Sequence, residues 1–380
     1  MVQLKYIDTA SGATCPVDRP LWRAESGAYL DLSEAPGIGR DDIDSSERSL
    51  WRYAAAIGVE RSTAVSLGEG LTPLLPASWD GVAVAMKLEF VMPTGSFKDR
   101  GASVLVSYLK SRGVTHVLED SSGNAGAALA TYAAAAGMRC RILVPETASY
   151  PKIAQIAASG AEVITVRGTR QDVAEAALQM SRGIFYASHN WQPFFLEGTK
   201  TLAYELWEQL GFRAPDNIVV PVGYGANVLG CWRGFEELLR RGAIARMPKL
   251  FGVQAANCAP LATAFAAGGE IAAPVDARPT LAEGIASSRP TRGREVLAAV
   301  RGSSGSLLAV SEEEIVAALG ACARKGFYVE PTSAAAGAGL TRLIAQGTIA
   351  CGETTVVVLT GSGLKAGETI GKALGLAAGR

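Results

Sequence analysis

Lys98 stands in the stretch Pro93-Thr94-Gly95-Ser96-Phe97-Lys98-Asp99-Arg100-Gly101, between a strand-like run (VAVAMKLEF, 82–90) and a helix-like run (ASVLVSYLK). Pro93 and Gly95 stop the strand, Ser96 has the type of a helix N-cap, and Lys98 falls in the first helical turn. That places it near the carboxyl end of a strand, in the crevice where α/β sheets collect ligands. The positive helix terminus and Arg100 disfavour an ammonium ion there. An amine held below its ordinary pKa is a nucleophile able to form a Schiff base with a carbonyl group.

Three further strand-to-helix junctions carry small polar residues. Ser121-Ser122-Gly123-Asn124-Ala125-Gly126 opens a long Ala-rich helix, and its backbone N–H groups and two hydroxyls suit a carboxylate; Asn124 adds a side-chain donor or acceptor. Pro221-Val222-Gly223-Tyr224-Gly225-Ala226-Asn227 follows the strand NIVV, and its glycines let backbone approach a phosphate at a helix N-terminus. A dinucleotide site needs a carboxylate about twenty residues on. The next strand ends in Gln254-Ala255-Ala256-Asn257, so this loop suits a single phosphate and argues against a nicotinamide dehydrogenase. Leu359-Thr360-Gly361-Ser362-Gly363 ends the last strand and brings the Thr360 hydroxyl to the same kind of edge.

The elements that must position these residues read clearly. From residue 66 onward, β-branched runs (82–90, 115–120, 139–146, 162–168, 183–188, 217–223, 249–255, 306–311 and 354–361) alternate with helical segments. That alternation predicts parallel sheets covered on both faces, and nine strands predict two sheets. Residues 1–65 form an N-terminal extension with a short helical stretch, LWRYAAAIGV.

Composition narrows the function classes. The chain has 380 residues, 48% of them hydrophobic, with 36 Lys+Arg against 36 Asp+Glu. A zero formal charge without a basic tract predicts no nucleic-acid partner. No apolar run reaches membrane-spanning length, so no membrane partner is expected. Six scattered cysteines and two histidines, His116 and His189, offer no metal-ligand spacing and fit a reduced, cytoplasmic protein without a metal.

PTGSFKDRG, SSGNAG, the Gly-rich loop and LTGSGLK occur in an order and at intervals that resemble the threonine synthase group. These are pyridoxal-phosphate enzymes of fold type II, relatives of serine and threonine dehydratases. SLGEGLTPLLP, LEGTKTLAYE and YVEPTSAAAGAGL extend the likeness from about residue 48 to the C-terminus. The resemblance implies an α/β fold of two domains, tryptophan synthase β-like, with the active site in the interdomain cleft. The larger, cofactor-binding domain would comprise 66–100 and 190–380, and the smaller, substrate-carboxylate domain 101–189. It implies pyridoxal 5'-phosphate as cofactor and a homodimer. Lys98 would carry the cofactor as a Schiff base and move the substrate's proton. Phe97 and Ser96 would flank the cofactor, Asn124 would bond the ring oxygen, and Gly223, Tyr224, Gly225, Ala226 and Asn227 would cradle the phosphate. Thr360 would meet the pyridine nitrogen, where a hydroxyl in place of a carboxylate suits elimination and replacement over transamination. Ser96, Ser121, Ser122, Gly123, Ala125 and His189 would face the substrate.

Three positions depart from the group. Met92 and Tyr224 stand where Asn is common, and Phe195 stands where threonine synthases place an Arg for the substrate phosphate. A phenyl ring cannot pair with a phosphate dianion. The expected activity is therefore a β/γ-elimination or replacement on a small L-amino acid, threonine-synthase-like. The alternatives are a hydroxy-amino-acid ammonia-lyase and a non-catalytic binding protein of the same fold.

Overall fold

The computed structural model describes residues 4–376 apart from Thr147, Ser149 and Thr169. In chain order the strands are β1 (Lys5–Asp8), β2 (Thr14–Pro16), β3 (Leu30–Leu32), β4 (Leu74–Trp79), β5 (Val82–Leu88), β6 (His116–Glu119), β7 (Arg139–Pro145), β8 (Glu162–Val166), β9 (Phe185–Tyr186), β10 (Asn217–Pro221), β11 (Lys249–Ala255), β12 (Ser306–Val310) and β13 (Thr355–Leu359). The helices are α1 (Lys98–Ser111), α2 (Asn124–Ala135), α3 (Tyr150–Ala158), α4 (Arg170–Met180), α5 (Pro193–Thr199), α6 (Thr201–Gln209), α7 (Ala226–Arg240), α8 (Pro260–Ala266), α9 (Gly293–Gly302), α10 (Glu312–Arg324), α11 (Pro331–Ala345) and α12 (Gly367–Ala373). Each strand run expected from the sequence contains an observed strand. Among the described residues no helix is long and apolar enough to cross a membrane.

Two compact units divide the chain: residues 1–71 with 98–201, and residues 72–97 with 202–380. The first holds a four-stranded parallel sheet, ordered β8-β7-β6-β9, and a small antiparallel sheet, β2-β1-β3. Residues 4–65 belong to this unit. The hydroxyls of Tyr6 and Tyr108 meet at 2.7 Å, Tyr108 stacks on Phe194, and Trp51 Nε1 donates to Ser103 Oγ at 3.0 Å. Helix α5 also falls in this unit. Its Gly198 lies so close to α1 that an added Cβ would be 2.0 Å from the Arg100 carbonyl oxygen.

The second unit is a six-stranded sheet ordered β12-β11-β10-β13-β5-β4. Five strands are parallel, and edge strand β4 runs antiparallel to β5 through the turn Asp80-Gly81. Both turn residues have positive φ (47° and 83°), as a two-residue hairpin of this hand requires. The interior strands are apolar on both faces: β10 and β13 are buried along their whole length, as strands covered by helices must be. The core beneath α10 and α11 joins Met86, Phe251, Val253, Leu319, Leu340 and Val357.

Candidate active site

In the first unit, the site residues gather at the carboxyl ends of neighbouring strands β6 and β9. Helix α1 begins at Lys98, so this amine does occupy the first turn. Ser96 is not its cap; it forms an isolated antiparallel bridge with Gly361 inside the second unit. Lys98 is half-buried, and desolvation lowers its pKa from 10.5 to about 8 against the opposing charge of Glu119. Burial, and not the nearby Arg100 invoked from sequence, is the leading cause; Arg100 is fully buried and donates to Thr201 Oγ1 at 3.1 Å.

Glu119 ends β6 and is buried. Its Oε2 accepts the His189 backbone N–H at 3.1 Å, and its Oε1 lies 3.1 Å from His189 Nδ1. His189 follows β9, whose chain continues beside β6 through Ala187 N–H bonded to the Leu118 carbonyl at 2.8 Å. The Phe195 ring, on α5, is 5.7 Å from the His189 ring and 5.8 Å from Lys98 Nζ. After Glu119 and Asp120, the backbone passes through Ser121 and Ser122 to Gly123, the extended N-cap of α2 (φ −101°) with no side-chain cap bond. Ser121 Oγ accepts from the Gly123 N–H at 3.3 Å. Ser121, Ser122, Gly123 and Asn124 keep part of their surface exposed, whereas Ala125 is buried. A Cβ on Gly126 would lie 1.9 Å from the Ser121 carbonyl oxygen, so only glycine allows this tight entry to the helix.

In the second unit, the ends of β10, β13 and β5 bring two loops to one edge of the sheet. Gly223, Tyr224 and Gly225 link β10 to α7, whose first turn begins at Ala226 and Asn227. Gly225 caps the helix in the left-handed region at φ 94°, and a Cβ there would sit 2.2 Å from Val296 Cγ2. A Cβ on Gly223 would press on Ser287 Oγ at 3.0 Å and Ile285 Cα at 3.1 Å. At the end of neighbouring β13, Phe97 N donates to the Thr360 carbonyl at 3.0 Å and Ser362 N to the Gly95 carbonyl at 2.9 Å. Thr360 is buried, and its Oγ1 lies 3.1 Å from Ser333 Oγ. Ser333 also accepts the Gly361 N–H at 2.8 Å. It went unrecognised as a site residue in the sequence, where PTSAAAGAGL reads as an ordinary helix start.

The donor set fits pyridoxal phosphate. The Gly223–Asn227 turn offers close backbone at the start of a fifteen-residue helix, which suits a phosphate. Ser96 Oγ is buried with no hydrogen-bond partner among the described residues, as a hydroxyl reserved for a ligand would be. Thr360 supplies a neutral hydroxyl already oriented by Ser333, and Lys98 supplies an amine whose charge is disfavoured.

Comparison with known proteins agrees with this chemistry. The sequence profile of the family described as "Pyridoxal-phosphate dependent enzyme" matches residues 65–361. Threonine synthase of Methanocaldococcus jannaschii is 36% identical over 368 residues, covering 93% of this chain and 91% of that protein. Threonine synthase of Mycobacterium bovis is 38% identical over 315 residues, covering 81% and 85%. Among solved structures, processed threonine deaminase isoform 2 from Solanum lycopersicum superposes with a TM-score of 0.71 at 22% identity, covering 91% of this chain and 96% of that one, a likeness of fold.

Proposed function

The chain belongs to the pyridoxal-phosphate dependent enzymes, within the threonine synthase group, and from that premise we propose which residues carry its chemistry and on what substrate. It is a pyridoxal-phosphate dependent lyase, threonine-synthase-like, acting on an amino acid. The observation that carries the assignment of roles is Lys98 in the first turn of α1 with its pKa lowered to about 8 by burial.

Bound there, pyridoxal phosphate supplies an aldehyde for imine exchange and a conjugated ring that takes up the electron pair left at the substrate Cα. Lys98 Nζ would be the amine that holds that aldehyde and the base for the substrate's Cα proton. With a pKa of about 8, a far larger share of it is unprotonated at neutral pH than of an ordinary lysine, yet it stays basic enough to hold the proton. The α2 N-terminus binds the substrate carboxylate through Ser121, Ser122, and the backbone N–H groups from Gly123 to Ala125, at the positive end of the helix dipole. Asn124 would bond the ring oxygen, and Ser96 and Phe97 would flank the cofactor. Gly223 to Asn227 would hold the phosphate. Thr360, bonded to Ser333, would meet the pyridine nitrogen without protonating it.

Two outcomes share this machinery. A γ-elimination and replacement releases phosphate from O-phosphohomoserine. A β-elimination releases water from a hydroxy amino acid, then ammonia and a 2-oxo acid. Phe195 favours the second. Assaying phosphate release from O-phosphohomoserine beside 2-oxo acid formation from threonine and serine separates them; neither product would reject both substrates. We also place the enzyme in the cytoplasm as a homodimer, a reading that rests on the cysteine pattern and on the resemblance to the group.

A further inference from the structure

The geometry points to a substrate side chain that carries no negative charge, selected by Glu119, His189 and Phe195. This deepens the assignment above and rests on Lys98 as the amine that carries the cofactor.

The three residues come from the end of β6, the segment after β9 and helix α5. Glu119, 1% exposed, is fixed at both oxygens by the His189 backbone N–H and ring at 3.1 Å. Its charge reaches Lys98, where it acts to favour the ammonium form. Phe195 lies 5.8 Å from Lys98 Nζ and edge-on to His189. Its ring is seated because Gly101 lacks a Cβ; one there would meet three ring carbons at 2.5 Å.

Two nearby cations are engaged elsewhere. Arg100 donates to Thr201, and Lys200 lies 2.7 Å from Glu197. A phosphate ester arriving beside Lys98 would therefore face a buried carboxylate and a phenyl ring. Phosphate binding needs several charge-assisted donors, and a desolvated anion next to a carboxylate is repelled. A hydroxyl or ammonium group meets an acceptor instead. The loop after β9 adds a buried amide: the Asn190 side-chain oxygen has no hydrogen-bond partner among the described residues and is available to a donor. Specificity here comes as much from what is repelled as from what is bound.

The test is a titration of the holoenzyme, reading the change in the cofactor's visible spectrum as binding and product formation separately. L-serine, L-threonine and L-2,3-diaminopropionate are compared with O-phospho-L-serine and O-phospho-L-homoserine. The expected result is binding of at least one of the first three at least tenfold tighter than of either phosphorylated compound. A Phe195→Arg/Glu119→Gln double variant should shift that ratio at least tenfold toward the phosphorylated amino acids. Equal or tighter binding of a phosphorylated amino acid by the wild type overturns the inference, whether or not the variant folds. So does a double variant that takes up cofactor and keeps the wild-type preference. A protein that takes up no cofactor on Lys98 defeats the assignment of roles itself, and this inference with it, before any amino acid is added.

Discussion

The Phe195 ring centroid lies 5.8 Å from Lys98 Nζ, and the same ring fills the space that a side chain at Gly101 would take. One phenyl group thus packs on the helix that carries the amine and helps to exclude water from it. Gly101→Ala should destabilise the protein by ~1–3 kcal/mol through overpacking. Phe195→Leu in that background should recover at least half of the loss, measured as denaturant midpoints in a double-mutant cycle. Additive effects of the two substitutions would contradict this contact.

The Lys98 amine makes both cofactor uptake and apo-protein stability depend on pH. With a pKa of about 8, the unprotonated fraction, and with it the rate of cofactor uptake by the apo-protein, should rise about tenfold between pH 7 and 9 and then level. An ordinary lysine would still be climbing at pH 10. For stability the sign follows from proton counts. Between about 8 and 10.5 the unfolded chain binds more protons at this site than the folded one, so stability rises with pH across that window. Below about 8 the cost of the buried ammonium is complete. Lys98→Met should therefore stabilise the apo-protein at pH 7, and the advantage should shrink toward pH 10.5; a constant difference in urea unfolding would count against it.

Ser333 holds the Thr360 turn at three points: the Thr360 hydroxyl, the Gly361 N–H and the Gly361 carbonyl. Ser333→Ala leaves the Gly361 N–H unsatisfied and should cost ~1–3 kcal/mol of stability. It should also weaken cofactor retention in equilibrium dialysis. Lost stability with cofactor affinity unchanged would reduce Ser333 to a structural role.

Much of this was legible in the sequence because parallel strands buried on both faces write themselves as continuous apolar runs, and each such run became a strand. What escaped reading was local competition and long-range pairing. The stretch 197–211 reads as one helix, yet it breaks at Lys200. There the Thr199 and Thr201 hydroxyls bond back to the carbonyls of Phe195, Leu196 and Gly198. Strand β4 was hidden by Pro76, which an edge strand tolerates and a central one does not. Lys87 and Glu89, which alternate along the sequence as a pair on one strand, have separate partners: Lys87 pairs with Glu205, and Glu89 accepts from Thr72 Oγ1 at 2.7 Å. In the site, the four loop motifs were visible as Gly-rich junctions. Glu119 was not, because its partner His189 lies 70 residues away and nothing local distinguishes a carboxylate at a strand end.

The bond between Lys98 and the cofactor is the point on which every assigned role depends. Holoenzyme reduced with borohydride, digested and examined by mass spectrometry should carry the reduced pyridoxal phosphate adduct on the peptide containing Lys98, and Lys98→Ala should carry none. An adduct on another lysine, or no adduct in a protein that retains pyridoxal phosphate, would contradict it.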